Sequence, residues 1–302
     1  MGDIRLPPCG RWVRRRGSSV VTEENHDDGR AMTDTILVTG ANGNLGSAIL
    51  AALRARGAAA EGGSRAPGEG TRRLDFDDRE AIDLTGVTTL VLVSAGYAED
   101  DQVIGRHAAV VDAAGRDGVE HVVYTSLTGA GDHLGFALAH RATERLLRAS
   151  GLRWTILRNG LYAELFGGLL TWADDAVESA FGGGALAAVT RADLAEAAAV
   201  VAADPEKHGG RVYDLVGTPI TAADVAARLG VPHRVISLDE YRRRLDGTPE
   251  LLAFQRPMLA SIATSVRHGF LDGTSPDLED LLGRPCSDPL VVAAETAAAL
   301  RP

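Results

Sequence analysis

The chain has 302 residues, and its 31 Lys and Arg against 41 Asp and Glu give a formal net charge of −10 at pH 7. This acidic balance disfavours broad binding to DNA or anionic lipid, because a phosphate backbone needs clustered cations. No stretch approaches the roughly 18 apolar residues of a membrane helix, and the cysteines, Cys9 and Cys286, are too few for a disulfide framework. We therefore expect a cytoplasmic globular protein.

Residues 1–33 have no period typical of a strand or a helix. Arginines at 11 and 14–16 are followed by an acidic run at 23–28, without the apolar core that a secretory signal needs. We predict a disordered N-terminal extension. Contact of its arginines with RNA or a protein partner stays open as an alternative.

A strand, a glycine turn and a helix follow. Thr35–Thr39 is a short apolar, β-branched run typical of a buried parallel strand, and helix formers occupy Ser47–Arg56. Between them lies the three-glycine turn Gly40–Gly46. Its first glycine allows a sharp turn, the second lets a diphosphate approach the backbone, and the third lets the helix pack closely on the sheet. Between a strand and a helix, this pattern predicts a dinucleotide site at the helix N-terminus.

The residue at the end of the second strand distinguishes the two nicotinamide dinucleotides. Arg65 lies 19 residues after Gly46, at the end of the strand predicted over Ala58–Ser64. An arginine there suits the 2′-phosphate of NADP, whereas a carboxylate would bind the ribose hydroxyl of NAD. Glu61 lies in the middle of this strand, so we favour NADPH over NADH. The alternative is that Arg65 is a solvated loop residue.

Strands and helices continue to alternate along the chain. We predict strands over Thr89–Ser94, His121–Ser126 and Trp154–Leu157, with helices over Asp101–Arg116 and Phe136–Ser150, the latter with apolar Leu138, Leu146 and Leu147. This order predicts an α/β fold with a doubly wound parallel sheet of the Rossmann type. We place its core at about 34–160. After it we predict a helix over Arg191–Ala203, and we assign the elements from a strand near Arg211–Leu215 onward to a smaller α/β substrate lobe within 160–302.

Four ordered motifs give the chain a family resemblance. VTGANGNLG at 38–46, YTSLTGA at 124–130, ILRNGLYAE at 156–164 and TRADLAEAAA at 190–199 resemble the NmrA-like atypical short-chain dehydrogenases, most closely the type-2 NADPH:quinone oxidoreductases. The resemblance runs from about Thr35 to Ala293 and leaves residues 1–33 without a counterpart.

The resemblance implies a set of cofactor-binding residues. Around the pyrophosphate they are Gly40, Asn42, Gly43, Asn44, Leu45 and Gly46. Arg65 would contact the 2′-phosphate, and Asp75 and Phe76 would flank the adenine. Ser94, Ala95 and Gly96 would border the nicotinamide ribose.

The residues implied for catalysis depart from the wider superfamily. Short-chain dehydrogenases use a Ser, and then a Tyr-x-x-x-Lys whose phenol exchanges a proton with the substrate oxygen. Ser126 matches the serine, but Phe136 and His140 occupy the Tyr and Lys positions. We therefore take His140, Ser126 and Tyr162 as the candidate catalytic residues. Ser126 could equally be a loop or capping hydroxyl.

His140 and Glu144 are four residues apart on one predicted helix. A carboxylate at that distance could raise the pKa of the imidazole and make His140 a modest acid. The alternative is a partly exposed ion pair. The resemblance implies that Tyr162 and Glu164 belong to a loop that lines the substrate pocket. The family often has Asn directly after that Glu, whereas this chain has Leu165. Arg191 and Asp193 are expected to cap and anchor the helix that follows them.

Two hypotheses of function follow. The first is an NADPH-dependent oxidoreductase that reduces a quinone or another conjugated small molecule, since such acceptors need little acid catalysis. The second is a non-catalytic NADP(H) sensor that binds a regulatory partner. A sugar-nucleotide epimerase would need the missing phenol. We expect a monomer or homodimer, and we identify no flavin or metal motif, because the histidines lack ligand spacing (His107, His121, His133, His140 and His208).

Overall fold

The computed structural model describes residues 35–66, 68, 70–95 and 98–302. The predicted extension, residues 1–33, lies outside the described residues. So does Gly96, one of the residues assigned to the nicotinamide ribose.

Strands and helices alternate along most of the described chain. The strands are β1 (Ile36–Thr39), β2 (Ala60–Ser64), β3 (Thr71–Arg73), β4 (Thr89–Val93), β5 (His121–Leu127), β6 (Arg153–Asn159), β7 (Thr171–Ala173), β8 (Ala176–Ser179), β9 (Ala185–Ala188), β10 (Val212–Leu215), β11 (Thr218–Thr221) and β12 (His233–Val235). The helices are α1 (Asn44–Ala55), α2 (Asp100–Asp117), α3 (Ala137–Ala149), α4 (Ala163–Gly168), α5 (Arg191–Ala203), α6 (Ala222–Leu229), α7 (Leu238–Asp246), α8 (Gln255–Arg267), α9 (Asp277–Leu282) and α10 (Pro289–Ala299).

Within the described residues, seven strands form one sheet in the order β10-β6-β5-β4-β1-β2-β3. Every neighbouring pair in it is parallel. The chain winds outward from β1 through β2 and β3 on one side, and from β4 through β5 and β6 on the other. The carboxyl ends of β1 and β4 therefore flank a topological switch point, where ligands bind in open α/β sheets. This topology confirms the predicted doubly wound α/β fold.

Helices cover both faces of the central sheet, which explains why its strands read as continuous apolar runs. Val38 packs in one core with Ile49 of α1 and Leu194 of α5. Its neighbour Leu37 points to the opposite face and packs in a second core with Val110 of α2. Each such fully buried side chain contributes roughly 1.5–3 kcal/mol through removal of apolar surface from water.

The assignment of the strand near Arg211–Leu215 to the smaller lobe is wrong. That strand is β10, and it pairs in parallel with β6 as an edge strand of the central sheet, with Tyr213 opposite Leu157. The strand is recognisable locally, but its partner is set by the free edge of β6, more than fifty residues earlier. The apolar face predicted for α3 is also partly wrong, because Leu138 is 63% exposed.

Two small sheets and a third core follow β6. β9 pairs with β11, and β8 pairs with both β7 and β12. The third core includes Phe166 and Phe181, whose stacked rings lie 5.0 Å apart, together with Ile262 of α8. This core fixes α8, and α8 contributes to the wall of the cavity described next.

Candidate functional site

A cavity of about 740 Å³ lies at the carboxyl ends of the central strands. Every candidate site residue that the structure describes contributes to its wall: Gly40, Asn42, Gly43, Asn44, Leu45, Gly46, Arg65, Asp75, Phe76, Ser94, Ala95, Ser126, His140 and Tyr162. The fold thus brings residues from widely separated segments to one surface. Their individual roles stay predictions.

The glycine turn has the backbone geometry that the sequence predicts. Gly40 has φ +62°, a left-handed conformation that L side chains rarely adopt. A Cβ atom on Gly46 would lie 2.3 Å from the carbonyl oxygen of Gly40, so no side chain fits there. The turn therefore brings α1 directly onto the end of β1.

The N-terminus of α1 is open to the cavity. No side chain caps this helix, and its first turn contains no acidic residue. Its first N–H groups have no carbonyl within the helix to bind, and the helix dipole adds partial positive charge there. Backbone donors with this geometry fit the diphosphate of a dinucleotide.

The segment after β2 offers a cation to the same cavity. Arg65 is exposed in the cavity wall, and the Asn42 side chain donates a hydrogen bond to the carbonyl of Ala66, 3.0 Å away. Glu61 does not compete for this position. Its carboxylate accepts hydrogen bonds from the Arg72 guanidinium at 3.0 and 3.4 Å.

An ion pair near the predicted adenine edge was not foreseen from the sequence. Beside Asp75 and Phe76, Arg106 of α2 donates to both carboxylate oxygens of Asp77, at 2.6 and 2.8 Å. The hydrogen bond from Arg106 lowers the pKa of Asp77. Both side chains line the cavity. The two residues are 29 positions apart and carry no shared motif.

The end of β4 is held by buried polar groups. The backbone N–H of Ser94 donates to the hydroxyl of Thr125 at 3.0 Å, and that of Ala95 donates to Nε2 of His107 at 3.0 Å. His107 is fully buried, and burial lowers its pKa to about 3. A neutral imidazole therefore fixes the backbone of the predicted ribose-contact segment.

Ser126 is engaged in a buried ionic cluster. Its hydroxyl donates to Oε1 of Glu144 at 2.7 Å, and Glu144 is only 3% exposed. The same carboxylate accepts two hydrogen bonds from Arg158, at 2.7 and 2.9 Å, and one from Arg141 at 2.8 Å. Burial alone would raise the pKa of Glu144, but the hydrogen bonds from Arg158 and Ser126 lower it overall. The catalytic role of Ser126 stays a prediction.

His140 has a different partner from the one that the helical spacing predicts. Its Nδ1 lies 3.0 Å from the hydroxyl of Tyr124, whereas Glu144 is occupied by the two arginines. Burial and, to a lesser extent, the charge of Arg141 lower the pKa of His140, and Glu144 opposes them only in part, so that the resulting pKa is about 4. Glu144 does act to raise this pKa, as the spacing predicts, but the net change is downward, so the expectation of a more basic His140 is wrong. His140 is a neutral imidazole at the cavity wall.

The loop after β6 forms another part of the wall. The guanidinium of Arg191 lies 5.2 Å from the ring centroid of Tyr162, and the backbone N–H of Arg191 donates to Glu164 at 3.3 Å. Asp193 is fully buried and accepts hydrogen bonds from Arg284 and from Ser287. The predicted anchoring role of Asp193 is confirmed, but the predicted capping role is wrong, because the side chain of Thr190 caps α5 by accepting from the backbone N–H of Asp193. Arg191 contributes both to α5 and to the cavity.

Sequence reasoning gave no site role to several further wall residues, among them Asn159, Met258 and Ile262. Asn159, at the end of β6, is 5% exposed, and its Oδ1 atom is buried without a hydrogen-bond partner in the described structure. Met258 and Ile262 reach the cavity from α8. An unsatisfied buried amide in a cavity wall indicates room for a polar ligand group.

The described residues contain neither a membrane-spanning helix nor a metal-binding cluster. No helix there is both long and apolar enough to cross a membrane. Within the same residues, no group of three or more His, Cys, Asp or Glu side chains is placed to hold a metal ion.

A family model described as NAD(P)H-binding matches residues 40–205 of the chain. The match begins at the first glycine of the turn and ends just after α5. It therefore covers the glycine turn, Arg65, Ser126, His140 and Tyr162.

Characterised proteins and solved structures are similar over most of the chain. Quinone oxidoreductase 2 of Escherichia coli (strain K12) is 34% identical over 278 residues, which span 83% of this chain and 94% of that protein. The structure of an E. coli NADPH-dependent quinone oxidoreductase complexed with NADPH shares 30% identity with a TM-score of 0.76, covering 88% of this chain and 99% of that one. The Citrobacter sp. triphenylmethane reductase complexed with NADP(H) shares 28% identity with a TM-score of 0.76, covering 87% and 99%.

Proposed function

The chain belongs to the NmrA-like family of NAD(P)H-binding proteins, and we propose that it reduces a quinone or a related conjugated small molecule with NADPH. Its relatives of known activity are NAD(P)H-dependent oxidoreductases, which supports an oxidoreductase role for this chain. The identity of the acceptor is the further step, and its support comes from the cavity wall around His140.

Residues at the α1 end of the cavity, together with Asn159, fit the cofactor. The uncapped N-terminus of α1 and the glycine turn would hold the diphosphate, because backbone N–H groups there have no competing carboxylate. Arg65 would hold the 2′-phosphate through a forked pair of charge-assisted hydrogen bonds. The unpartnered amide of Asn159 lies where a polar group of the bound ligand would satisfy it. When bound, NADPH supplies the hydride.

The other end of the cavity suits a flat, conjugated acceptor. Its wall combines the aromatic rings of Phe136 and Tyr162 with the apolar side chains of Leu165, Met258 and Ile262. Aromatic and apolar walls favour a planar ring system, and removing it from water stabilises binding. Such walls hold the acceptor in place for hydride transfer, which is mainly a matter of positioning.

The single observation that carries the proposal is the neutral His140 at this end. The described wall contains no lysine, and Phe136 replaces the phenol that ordinary short-chain dehydrogenases use. A hydride added to a quinone gives a resonance-stabilised hydroquinone anion, which needs only a weak hydrogen-bond donor. An isolated ketone would give a far more basic alkoxide and would need the missing acid. The donors present therefore suit the first acceptor and not the second.

The test is turnover of purified full-length protein with NADPH or NADH, followed at the nicotinamide absorbance band. The acceptor panel contains benzoquinones, naphthoquinones and conjugated enones, with an isolated ketone as the control. We expect oxidation of NADPH with quinones and none with the ketone. Tight binding of NADP(H) without turnover of any acceptor would contradict the proposal and favour the nucleotide sensor.

A further inference from the structure

Tyr124 is a buried phenol beside the proposed acceptor site. It lies on β5 and is 0% exposed, yet its hydroxyl is 3.0 Å from Nδ1 of His140. The two rings lie 6.2 Å apart at their centroids. Because Tyr124 does not line the cavity, it acts on a ligand only through another residue.

The side chains of Thr143, Ser94 and His140 surround the Tyr124 hydroxyl. The backbone N–H of Ala95 donates to Nε2 of His107, so the single proton of this neutral imidazole lies on Nδ1. That proton goes to the hydroxyl of Thr143, 2.7 Å away. Thr143 in turn donates to the carbonyl of Ala139 at 2.8 Å. Thr143 therefore has no proton left to offer to Tyr124.

The direction of the Tyr124–His140 hydrogen bond follows from the chemistry of the two groups. Burial raises the pKa of Tyr124, so this phenol stays protonated. The imidazole nitrogen of His140 is a stronger base than the phenol oxygen and than the hydroxyl oxygens of Thr143 and Ser94, which also adjoin this O–H. The favoured arrangement is therefore O–H donating to Nδ1. A neutral imidazole has one proton, which must then lie on Nε2. That nitrogen makes no hydrogen bond within the described residues.

We propose that Tyr124 is a positioning residue that holds His140 as its Nε2–H tautomer and so presents that proton to the oxygen of the acceptor. The inference rests on the proposed function for the identity of the acceptor, but the tautomer itself does not depend on it. The hydroxyl of Tyr124 also prevents the opposite tautomer, in which the proton would point at β5 and the cavity would meet only a lone pair. Such a lone pair would repel the oxygen of the reduced acceptor.

A second tyrosine–histidine pair provides the matched control. The hydroxyl of Tyr213 lies 2.7 Å from Nδ1 of His208, with ring centroids 5.7 Å apart. Neither residue lines the cavity. Removing either hydroxyl deletes the same kind of hydrogen bond, but only Tyr124 is joined to the cavity wall.

The first measurement is the tautomer. Full-length protein with ¹⁵N-labelled histidine is compared by long-range ¹H–¹⁵N NMR with its Tyr124→Phe and Tyr213→Phe variants, and a His140→Gln sample identifies the His140 signals. We expect His140 to carry its proton on Nε2 in the wild type and in Tyr213→Phe, and to become a mixture of tautomers in Tyr124→Phe. A wild-type His140 protonated on Nδ1 would overturn the proposal, and this holds even if Tyr124→Phe fails to fold.

The second measurement is the rate. We expect Tyr124→Phe to lower kcat with a quinone about tenfold, the rate equivalent of one lost hydrogen bond. Its Kd for NADPH and its KM for NADPH should stay within about twofold, and Tyr213→Phe should leave kcat unchanged. An unchanged kcat in Tyr124→Phe would overturn the positioning role. If no acceptor is turned over while the tautomer result stands, the proposed function fails and the tautomer assignment survives.

Discussion

The two ends of the cavity differ in the groups that form them, which are backbone groups at one end and side chains at the other. At the α1 end, backbone groups form the site: a left-handed Gly40, a Gly46 without room for a Cβ atom, and an uncapped helix N-terminus. At the α3 end, side chains form it, and each is held by others: Ser126 by Glu144, and His140 by Tyr124. The first kind of site is encoded in seven consecutive residues. The second depends on pairings across the fold.

This difference sets what a mutation can do at each end. A backbone site tolerates little, because a clash with a carbonyl oxygen cannot be relieved by a rotamer change. A side-chain network loses one hydrogen bond or one charge at a time, and the cost depends on how buried the remaining partner is. We therefore expect larger losses at the α1 end than at the α3 end.

The largest expected effect is that of Gly46→Ala. Its Cβ atom would lie 2.3 Å from the oxygen and 2.7 Å from the carbonyl carbon of Gly40, so α1 must move away from β1. We expect NADPH affinity to fall at least about 100-fold, the equivalent of roughly 3 kcal/mol, at the upper end of overpacking costs. Calorimetric titration with NADPH measures this loss.

Gly105→Ala is the control for that substitution. Gly105 lies within α2, and a Cβ atom there would meet nothing within 4 Å. Its replacement should leave NADPH affinity unchanged and stabilise the helix by about 0.5–1 kcal/mol. Equal affinities for the two variants would show that the close approach at Gly46 does not matter for binding.

The sequence predicts the α1 end well because its determinants are local. The strand at Ile36–Thr39, the turn and the helix are read from consecutive residues, and the alternation of strands and helices is enough to predict a parallel sheet. In the structure the helix begins earlier than predicted, at Asn44, directly after Gly43, the fourth residue of the turn. That agreement follows from backbone rules that need no knowledge of distant residues.

At the α3 end, the sequence predicts which residues line the cavity but not which hydrogen bonds and ion pairs they form. Helical spacing places Glu144 near His140, yet Arg158, 14 residues further on and on β6, takes the carboxylate instead. Likewise Tyr124 reads as an ordinary core residue of a buried strand. The pairing of Glu144 with Arg158 depends on the register of β5 against β6, in which Ser126 lies opposite Arg158. A single sequence does not encode that register locally.

The second expected effect is that of Glu144→Gln. Removing the charge leaves Arg158 without its carboxylate in a poorly solvated site, while Arg141 keeps only its ion pair with the more exposed Asp132. A fully buried pair would lose about 3–5 kcal/mol, but both arginines keep some contact with solvent, so we expect a loss of about 2 kcal/mol. The free energy of unfolding from urea titration measures it.

Glu206→Gln tests whether burial is the cause. Glu206 also faces an arginine, Arg153, at 3.5 Å, but its side chain is 80% exposed. Exposed pairs contribute about 0–1 kcal/mol, so this variant should be close to wild type. A loss at Glu206 as large as that at Glu144 would contradict the distinction between buried and exposed pairs.

The third expected effect separates the two nucleotides. Arg65→Glu should weaken NADPH by about tenfold to thirtyfold, since a hydrogen bond to a charged group contributes about 1.5–3 kcal/mol, while NADH should change little. Arg73→Glu is the matched control, because it makes the same change of charge on β3 at a residue outside the cavity wall. The KM values for both nucleotides are compared across the three proteins. Equal losses for NADPH and NADH in Arg65→Glu would count against a 2′-phosphate contact.

The smallest expected effect is the pH dependence of quinone reduction, and it separates the two accounts of His140. If Glu144 made the imidazole basic, kcat would change with an apparent pKa near or above 6.5. Burial and the charge of Arg141 instead lower the pKa of His140 to about 4. His140 then stays neutral throughout the neutral range, and kcat should vary less than about twofold between about pH 5.5 and 8.

The lower pH limit of the rate measurement is set by the effect of histidine protonation on folding stability. A histidine whose pKa is lower in the folded than in the unfolded state binds its proton first in the unfolded state, so stability falls as the pH drops from about 6.5 toward 4. His107 and His121 share this property, with pKa values of about 3 and 4. Rates are therefore measured above about pH 5.5, with folded protein verified by circular dichroism at each pH. An inflection between about pH 6 and 7.5 that disappears in His140→Gln would show that His140 titrates there, and would return Glu144 to the role that helical spacing first suggested.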